Sequence, residues 1–290
     1  MYKAVAANKR NTIFMIVLFL VIIGGLGALA AYIYRDYTVV IFVVAAAGVY
    51  ALIQYFAASH IAMAISGGHE VAKKDAPELY RIVENLSITT GIPMPRVFVI
   101  DDPAPNAFAT GRNPKHAMVA VTTGLMEVMD KRELEAVMAH EISHVQNYDI
   151  LVSMVVFGLV SAIGMICDYL LRITFWNRND RDSNPILMII GLGAMIIAPL
   201  VALLVKLALS RQREYLADMS GVLITRDSEG MAAALEKLRQ HSRPMRRQNT
   251  SVEHLFITSP LKSGFISKLF STHPPLDERI KRLRDNAEKM

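Results

Sequence analysis

At 290 residues, 53% of them hydrophobic and with a mean hydropathy of +0.32, the chain is too apolar to be an ordinary soluble domain of its size. A formal net charge of +5 comes without any basic–aromatic recognition module, which argues against a nucleic-acid partner. The single cysteine, Cys167, excludes a disulfide within the chain and suits a reducing compartment.

The apolar excess lies in blocks. Residues 12–34 and 37–59 carry no charge, and each is long enough to cross a bilayer as a helix, which takes about 20 residues. Tyr32, Tyr34 and Tyr37 mark an interfacial belt between them. The first block is too long for a cleaved signal and has no small-residue cleavage site behind it. Residues 150–171, with one acid at Asp168, and residues 183–205, with Pro199 inside, form two further blocks. The expectation is four transmembrane helices; a membrane-inserted hairpin in place of the second pair is the alternative. Lys3, Lys9, Arg10, Lys206, Arg211 and Arg213 flank the blocks, and this positive-inside bias places the N-terminus and the large polar segments in the cytoplasm. The loop 172–182 carries three arginines and weakens that bias. The implied organisation is a membrane hairpin at 1–59, a first catalytic segment at 60–149, a second hairpin at 150–205 and a second catalytic segment at 206–290.

Between the blocks the pattern is α+β and mostly helical. Gly67-Gly68 ends the second apolar stretch. The stretch from Asp75 reads as a helix capped by Asp75, with Pro77 in its first turn and Leu79, Ile82, Val83 and Leu86 at helical spacing. "PRVFVI", "NAFATGR" and "HAMVAVTTG" read as short strands, giving a small sheet. "DKRELEAVMAHEISHVQN" is a helix opened by a capping box of Asp130 and Glu133. Helices follow at "LALSRQREYLADMSG" and "SEGMAAALEKLRQ". "TSVEHLFITSPLKSGFISKLF" lacks a period and reads as a long, partly mobile loop. A last helix starts after Pro274-Pro275.

Within the fifth of these elements lies His140-Glu141-x-x-His144. Residues four apart share a helix face, so the two imidazoles can meet one ion while Glu141 reaches a water on it. That is the pattern of a catalytic zinc with a general base, which needs a third protein ligand and one open position. The following residues lack the glycine and third histidine of the metzincin extension. The third ligand therefore comes from elsewhere, among Glu214, Asp218, Glu229, His241, His254 and His273. Glu214 is the best placed, with Asp218 one turn later as an acceptor for a ligand histidine N–H, and with Ala217 and Gly221 small enough for close helix approach. His60, His69, His116, His241 and His254 otherwise read as ordinary histidines. His140 and Glu214 must meet although two apolar blocks separate them, so those blocks cross as a pair. Both ligands then sit within about 15 Å of the block ends, close to the membrane surface.

"NAFATGR", "HEISHVQNYD", "SRQREYLAD" and "STHPPLDERI", in this order along the chain, resemble the HtpX family of membrane zinc endopeptidases, relatives of the CAAX prenyl endopeptidases. The resemblance runs nearly end to end, with two apolar segments before the motif and two after. It implies a zincin-like domain of the gluzincin group with one catalytic Zn2+ on His140, His144 and Glu214, Glu141 as base and Asp218 behind the ligands. It also implies a substrate-binding edge at Asn106, Ala107, Phe108 and Ala109, with Asn106 holding a substrate carbonyl, and His273 as an oxyanion stabiliser. Such an enzyme is a multi-pass protein of the bacterial inner membrane that cleaves membrane proteins or unfolded polypeptides in quality control and stress response. No G-x-x-x-x-G-K-[ST] motif is present, so an unfolding motor would be a separate ATP-dependent protease. The competing readings are a processing protease of the prenyl-protein type and a non-catalytic membrane scaffold that uses zinc only to fold.

Overall fold

The computed structural model describes residues 2–159, 161–162, 211–249, 251–261 and 274–287. Cys167, Asp168, His273, the fourth apolar block and the far end of the third lie outside the described residues.

Two long helices open the chain, α1 (Tyr2–Tyr34) and α2 (Thr38–Ser66). Among the described residues these are the two helices long and apolar enough to cross a membrane, by length and composition. They face outward with Ile13, Phe14, Val17, Phe42, Leu52 and Phe56 exposed, as a lipid-facing surface requires. α2 does not stop with its apolar block. It runs on to Ser66, ends on Gly67 in the left-handed conformation (φ +79°), and buries Ala58, Ala62 and Met63 against the sheet.

The sheet is mixed, in the order β1-β2-β4-β3, from β1 (Gly68–Glu70), β2 (Arg96–Ile100), β3 (Ala107–Thr110) and β4 (Met118–Thr122). β1 is antiparallel to β2, β2 parallel to β4, and β3 antiparallel to β4. Alternation sorts its residues between two cores. Val97, Val99, Ala107, Val119 and Val121 pack on one face with α3 (Pro77–Thr90) and α5 (Lys131–Gln146), which follows the short α4 (Thr123–Val128). Phe98, Ile100, Phe108, Met118 and Ala120 pack on the other with the end of α2, Met154 and Phe157. A small sheet thus sits between the HExxH helix and the stem of a membrane helix.

Local signals act where expected, with one exception. Asp130 accepts from the Glu133 N–H at 2.9 Å and the Glu133 carboxylate accepts from the Asp130 N–H at 2.8 Å, closing the capping box of α5. Asp75 does not cap α3: the N-cap is Ala76, and Asp75 accepts from the Ala72 N–H instead. The third apolar block begins as α6 (Asp149–Leu159), whose Val152, Val156 and Leu159 cluster with Met15, Ile23 and Ala47 of the first two helices. The expected loop after residue 250 is a packed segment over 251–261. Its turn at Glu253–Leu255 is buried, with Val252, Phe256 and Ile257 in the two cores. Four apolar side chains in six residues, Leu255 being the fourth, anchor it without any helical period.

α7 (Arg211–Thr225), α8 (Ser228–Gln240) and α9 (Leu276–Ala287) complete the domain. α7 lies directly on α5. A Cβ on Gly221 would come within 2.7 Å of the Met231 Cε and 3.2 Å of the His140 backbone nitrogen. Met231 can shift, but the α5 backbone cannot. Gly221→Leu is therefore expected to destabilise the fold by about 1–3 kcal/mol, with Gly221→Ala costing less. Thermal unfolding of the detergent-solubilised chain checks this, and equal midpoints for wild type and Gly221→Leu would contradict the close approach.

Candidate active site

The capping box fixes where α5 starts, and one helical period then sets His140 and His144 on the face that α7 covers. Their Nε2 atoms lie 3.2 Å apart. From α7, Glu214 brings its Oε2 to 3.8 Å from the His140 Nε2 and its Oε1 to 3.8 Å from the His144 Nε2. One donor atom from each residue falls within 4.8 Å of the others. Tetrahedral donors around a zinc-sized ion stand about 3.3 Å apart. The two imidazole nitrogens stand at about that spacing, and an inward movement of the Glu214 carboxylate would complete the set.

Each imidazole is oriented through its other nitrogen. The His140 Nδ1 lies 3.0 Å from Asp218 Oδ1, one turn beyond Glu214 on α7. The His144 Nδ1 lies 2.9 Å from Asp149 Oδ2. With Nδ1–H given to a carboxylate, each Nε2 lone pair turns toward the shared point, which is the tautomer a metal ligand needs. Burial favours the uncharged imidazole of His144, yet the Asp149 bond and the charges of Glu214, Asp149 and Glu141 outweigh it and raise its pKa to about 9. The pocket therefore favours positive charge where an ion would bind.

Arg279 holds this arrangement from behind. It is 0% exposed and donates to both oxygens of Asp218, from Nε at 2.8 Å and Nη2 at 2.6 Å, with its Nη1 3.8 Å from Glu214. Burial raises the Asp218 carboxyl, but the Arg279 charge and the bonds from His140 and Arg279 prevail and lower it to about 2. Arg279 is itself raised: the Asp218 charge and bond outweigh burial. On the His144 side, α5 ends at Gln146 and the chain turns at Asn147 and Tyr148, the latter at φ +62°. Asp149 opens the next helix rather than continuing α5. Its Oδ1 accepts 2.7 Å from the Asn8 Nδ2, and the same amide reaches the Asn147 carbonyl at 2.9 Å. The first membrane helix thus touches the carboxylate that orients His144.

Glu141, 2% exposed, opens with His144 and Glu214 onto a cleft whose other walls include Ala109 of β3, Arg213 and His254. β3 is an edge strand of the sheet, but part of its outer side is covered. The Ile257 N–H donates to the Ala107 carbonyl at 3.0 Å. Asn106 donates to the Thr258 carbonyl at 2.9 Å and accepts from the Thr258 N–H at 3.2 Å. Its side chain holds the 251–261 segment to the start of β3. Phe108 points into the second core, against Phe256. Of the four expected edge residues, Ala109 lines the cleft. His273 lies outside the described residues.

Three contributors escaped the sequence reading. Arg279 stands in the quoted "STHPPLDERI" but looks like one more exposed charge of a polar helix. Asn8 and Asp149 are separated by 141 positions. His254, one of the candidates for the third ligand, stands instead in the cleft wall, bonded through Nε2 to the Ser153 carbonyl at 3.0 Å.

Two outcomes follow from this buried network. Asp149→Ala is expected to weaken divalent-metal retention about 10–100-fold, and Asn8→Ala by a smaller factor in the same direction. Chelator competition on the purified chain measures both; unchanged retention in Asp149→Ala would contradict the orienting role. Arg279→Met leaves Asp218 buried without its cation and is expected to cost about 3–5 kcal/mol, read as a lower midpoint of chemical unfolding.

Comparison with known proteins agrees with this geometry. The model of Peptidase family M48 matches residues 73–287. The chain is 50% identical over 286 residues to a protein of Tropheryma whipplei (strain Twist) named Protease HtpX homolog, covering 98% of each chain. It is 42% identical over 297 residues to the Protease HtpX homolog of Streptococcus gordonii, covering 98% of this chain and 99% of that one. It is also 44% identical over 302 residues to that of Dictyoglomus thermophilum, covering 99% and 95%. Among solved structures, Ste24p of S. mikatae shares the fold at a TM-score of 0.50 and 22% identity, over 98% of this chain and 67% of that one. The chain belongs to peptidase family M48 and is a membrane metalloprotease.

Proposed function

We propose that His140, His144 and Glu214 hold one catalytic Zn2+, that Glu141 is the general base, and that the substrates are membrane proteins or unfolded polypeptides cut at the membrane surface. The observation that carries this is the convergence of three metal donors within 4.8 Å, with Glu141 on the same cleft wall. Bound zinc supplies Lewis-acid polarisation of a peptide carbonyl and a water acidified to a pKa of about 7. Glu141 accepts the proton of the attacking water and delivers it to the leaving amine nitrogen, so the carboxylate is regenerated and one water is consumed per bond cut. Ala109, on the outer edge of β3, offers its backbone to an extended peptide. Asp218 and Asp149 keep the two imidazoles aimed, and Arg279 keeps Asp218 ionised.

The cleft lies where α6 leaves the catalytic domain, with Ile150 and Ser153 in its wall. That placement favours substrates anchored in the same bilayer. The bond between Asn8 and Asp149 keeps the start of α1 on the side of the catalytic helix. Together with Lys9 and Arg10 ahead of the first span, this supports a cytoplasmic site in the bacterial inner membrane and a role in protein quality control.

The test is proteolysis of a model substrate by the full chain in nanodiscs, with the substrate supplied membrane-anchored and as the same sequence in soluble form. Glu141→Gln is expected to keep its metal and lose about 10²–10⁴-fold in rate, while His140→Ala loses the metal. Full activity in Glu141→Gln would overturn the mechanism in favour of a zinc-stabilised scaffold. Equal cleavage of the two substrate forms would overturn the proposed substrate class.

A further inference from the structure

A large cavity lies away from the catalytic cleft, where the membrane helices meet the catalytic domain. It encloses about 880 Å3, ample for a small-molecule site. Its walls come from α1, α2, the loop after β3 and the turn after α5. Two of them present cations, Lys9 from α1 and Arg112 and Lys115 from the loop after β3, and among the described residues no Asp or Glu lines it. Ile13, Ile16 and Leu151 supply an apolar side.

The two sides are arranged along the membrane normal. In α1 the wall changes within one turn from Lys9 and Thr12 to Ile13 and Ile16, where the exposed apolar face of the helix begins. In α2 the outward apolar residues include Tyr55 and Phe56, while Ala58, Ala62 and Met63 already pack on the sheet. Both helices thus put the bilayer boundary at the level of this cavity. The Arg112 guanidinium lies over the Phe56 ring, 4.8 Å from its centroid, and 6.0 Å from that of Tyr55. The Lys9 ammonium lies 4.7 Å from the centroid of Tyr148. Cations braced on aromatic rings at this depth meet the headgroup layer.

We infer that this cavity binds one anionic phospholipid, with its headgroup phosphate among Lys9, Arg112 and Lys115 and its acyl chains leaving over Ile13, Ile16 and Leu151 into the bilayer. The charge selects an anion. The apolar side selects one that carries hydrocarbon, because a soluble phosphate would leave Ile13, Ile16 and Leu151 against water. A zwitterionic lipid would fill the same shape but leave the three cations without net compensation. The cavity also shares Gln146 and Tyr148 with the turn that follows His144, so its occupant touches the end of the catalytic helix.

The test uses the full chain in nanodiscs of mixed phosphatidylglycerol and phosphatidylcholine, with retained lipid counted by native mass spectrometry after release. One phosphatidylglycerol per chain is expected to remain. The triple variant Lys9→Gln, Arg112→Gln, Lys115→Gln is expected to lose about fivefold in affinity per cation removed, on the order of a hundredfold together. A charge-matched control, Lys74→Gln, Arg81→Gln, Lys131→Gln, changes no residue of the cavity and is expected to bind as wild type does. Excess inorganic phosphate is expected to leave the lipid in place. Equal retention of the two lipids by wild type, equal loss in the control variant, or displacement by phosphate would each overturn the inference. The first and third readouts use wild-type protein and do not depend on how the variants fold.

Discussion

The whole site depends on how close two helices can come. His140 and His144 lie on α5, and Glu214 lies on α7 about 70 residues later. Their donor atoms share one small volume because Ala217 and Gly221 present almost nothing between the helix axes. Ala217 and residues His140 to Ser143 of the HExxH stretch are buried at this contact, and the Ser143 hydroxyl reaches the Ala217 carbonyl at 3.4 Å. A larger side chain at Gly221 would meet the α5 backbone, and backbone in a packed helix has nowhere to move.

Close packing alone would bury six ionisable groups, His140, Glu141, Asp149, Glu214, Asp218 and Arg279, at ruinous electrostatic cost. The arrangement offsets this by pairing. Asp218 sits between His140 and a fully buried Arg279, and Asp149 takes bonds from His144 and Asn8. Isolated buried ion pairs seldom add stability. Their use here is directional: each carboxylate fixes one imidazole tautomer, and the remaining nitrogens point at a common centre. The residues that give the site its chemistry and those that give it its geometry are therefore different sets.

The membrane helices belong to that geometry. α2 carries on past the apolar block as a stem under the sheet, and α1 places Asn8 against Asp149. α6 starts with that same aspartate and packs on the first two helices. The C-terminal turn of the catalytic helix is thus tied to α1 through Asn8 and leads directly into α6. The basic cavity beside it lies at the same depth and faces lipid for the same reason.

Much of this was legible in the residues themselves. Charge-free runs of 20 or more residues report a membrane because hydrocarbon tolerates little else. The HExxH spacing, the capping box and the alternation in β2 and β4 are local patterns with periods set by the backbone, so a single sequence displays them. Glu214 emerged from the need for a third ligand together with its Asp218 partner and small neighbours. Arg279, Asn8, the packed 251–261 segment and its bonds to Asn106 did not show. In each case the deciding contact joins positions far apart in the chain: Arg279 to Asp218, Asn8 to Asp149, Thr258 to Asn106. What the sequence by itself determined was the chemistry and its location at a membrane, because these follow from residue type and short-range period. Which buried charges pair, and hence which way each metal donor points, only the tertiary structure decided, because pairing depends on distances that no local pattern encodes.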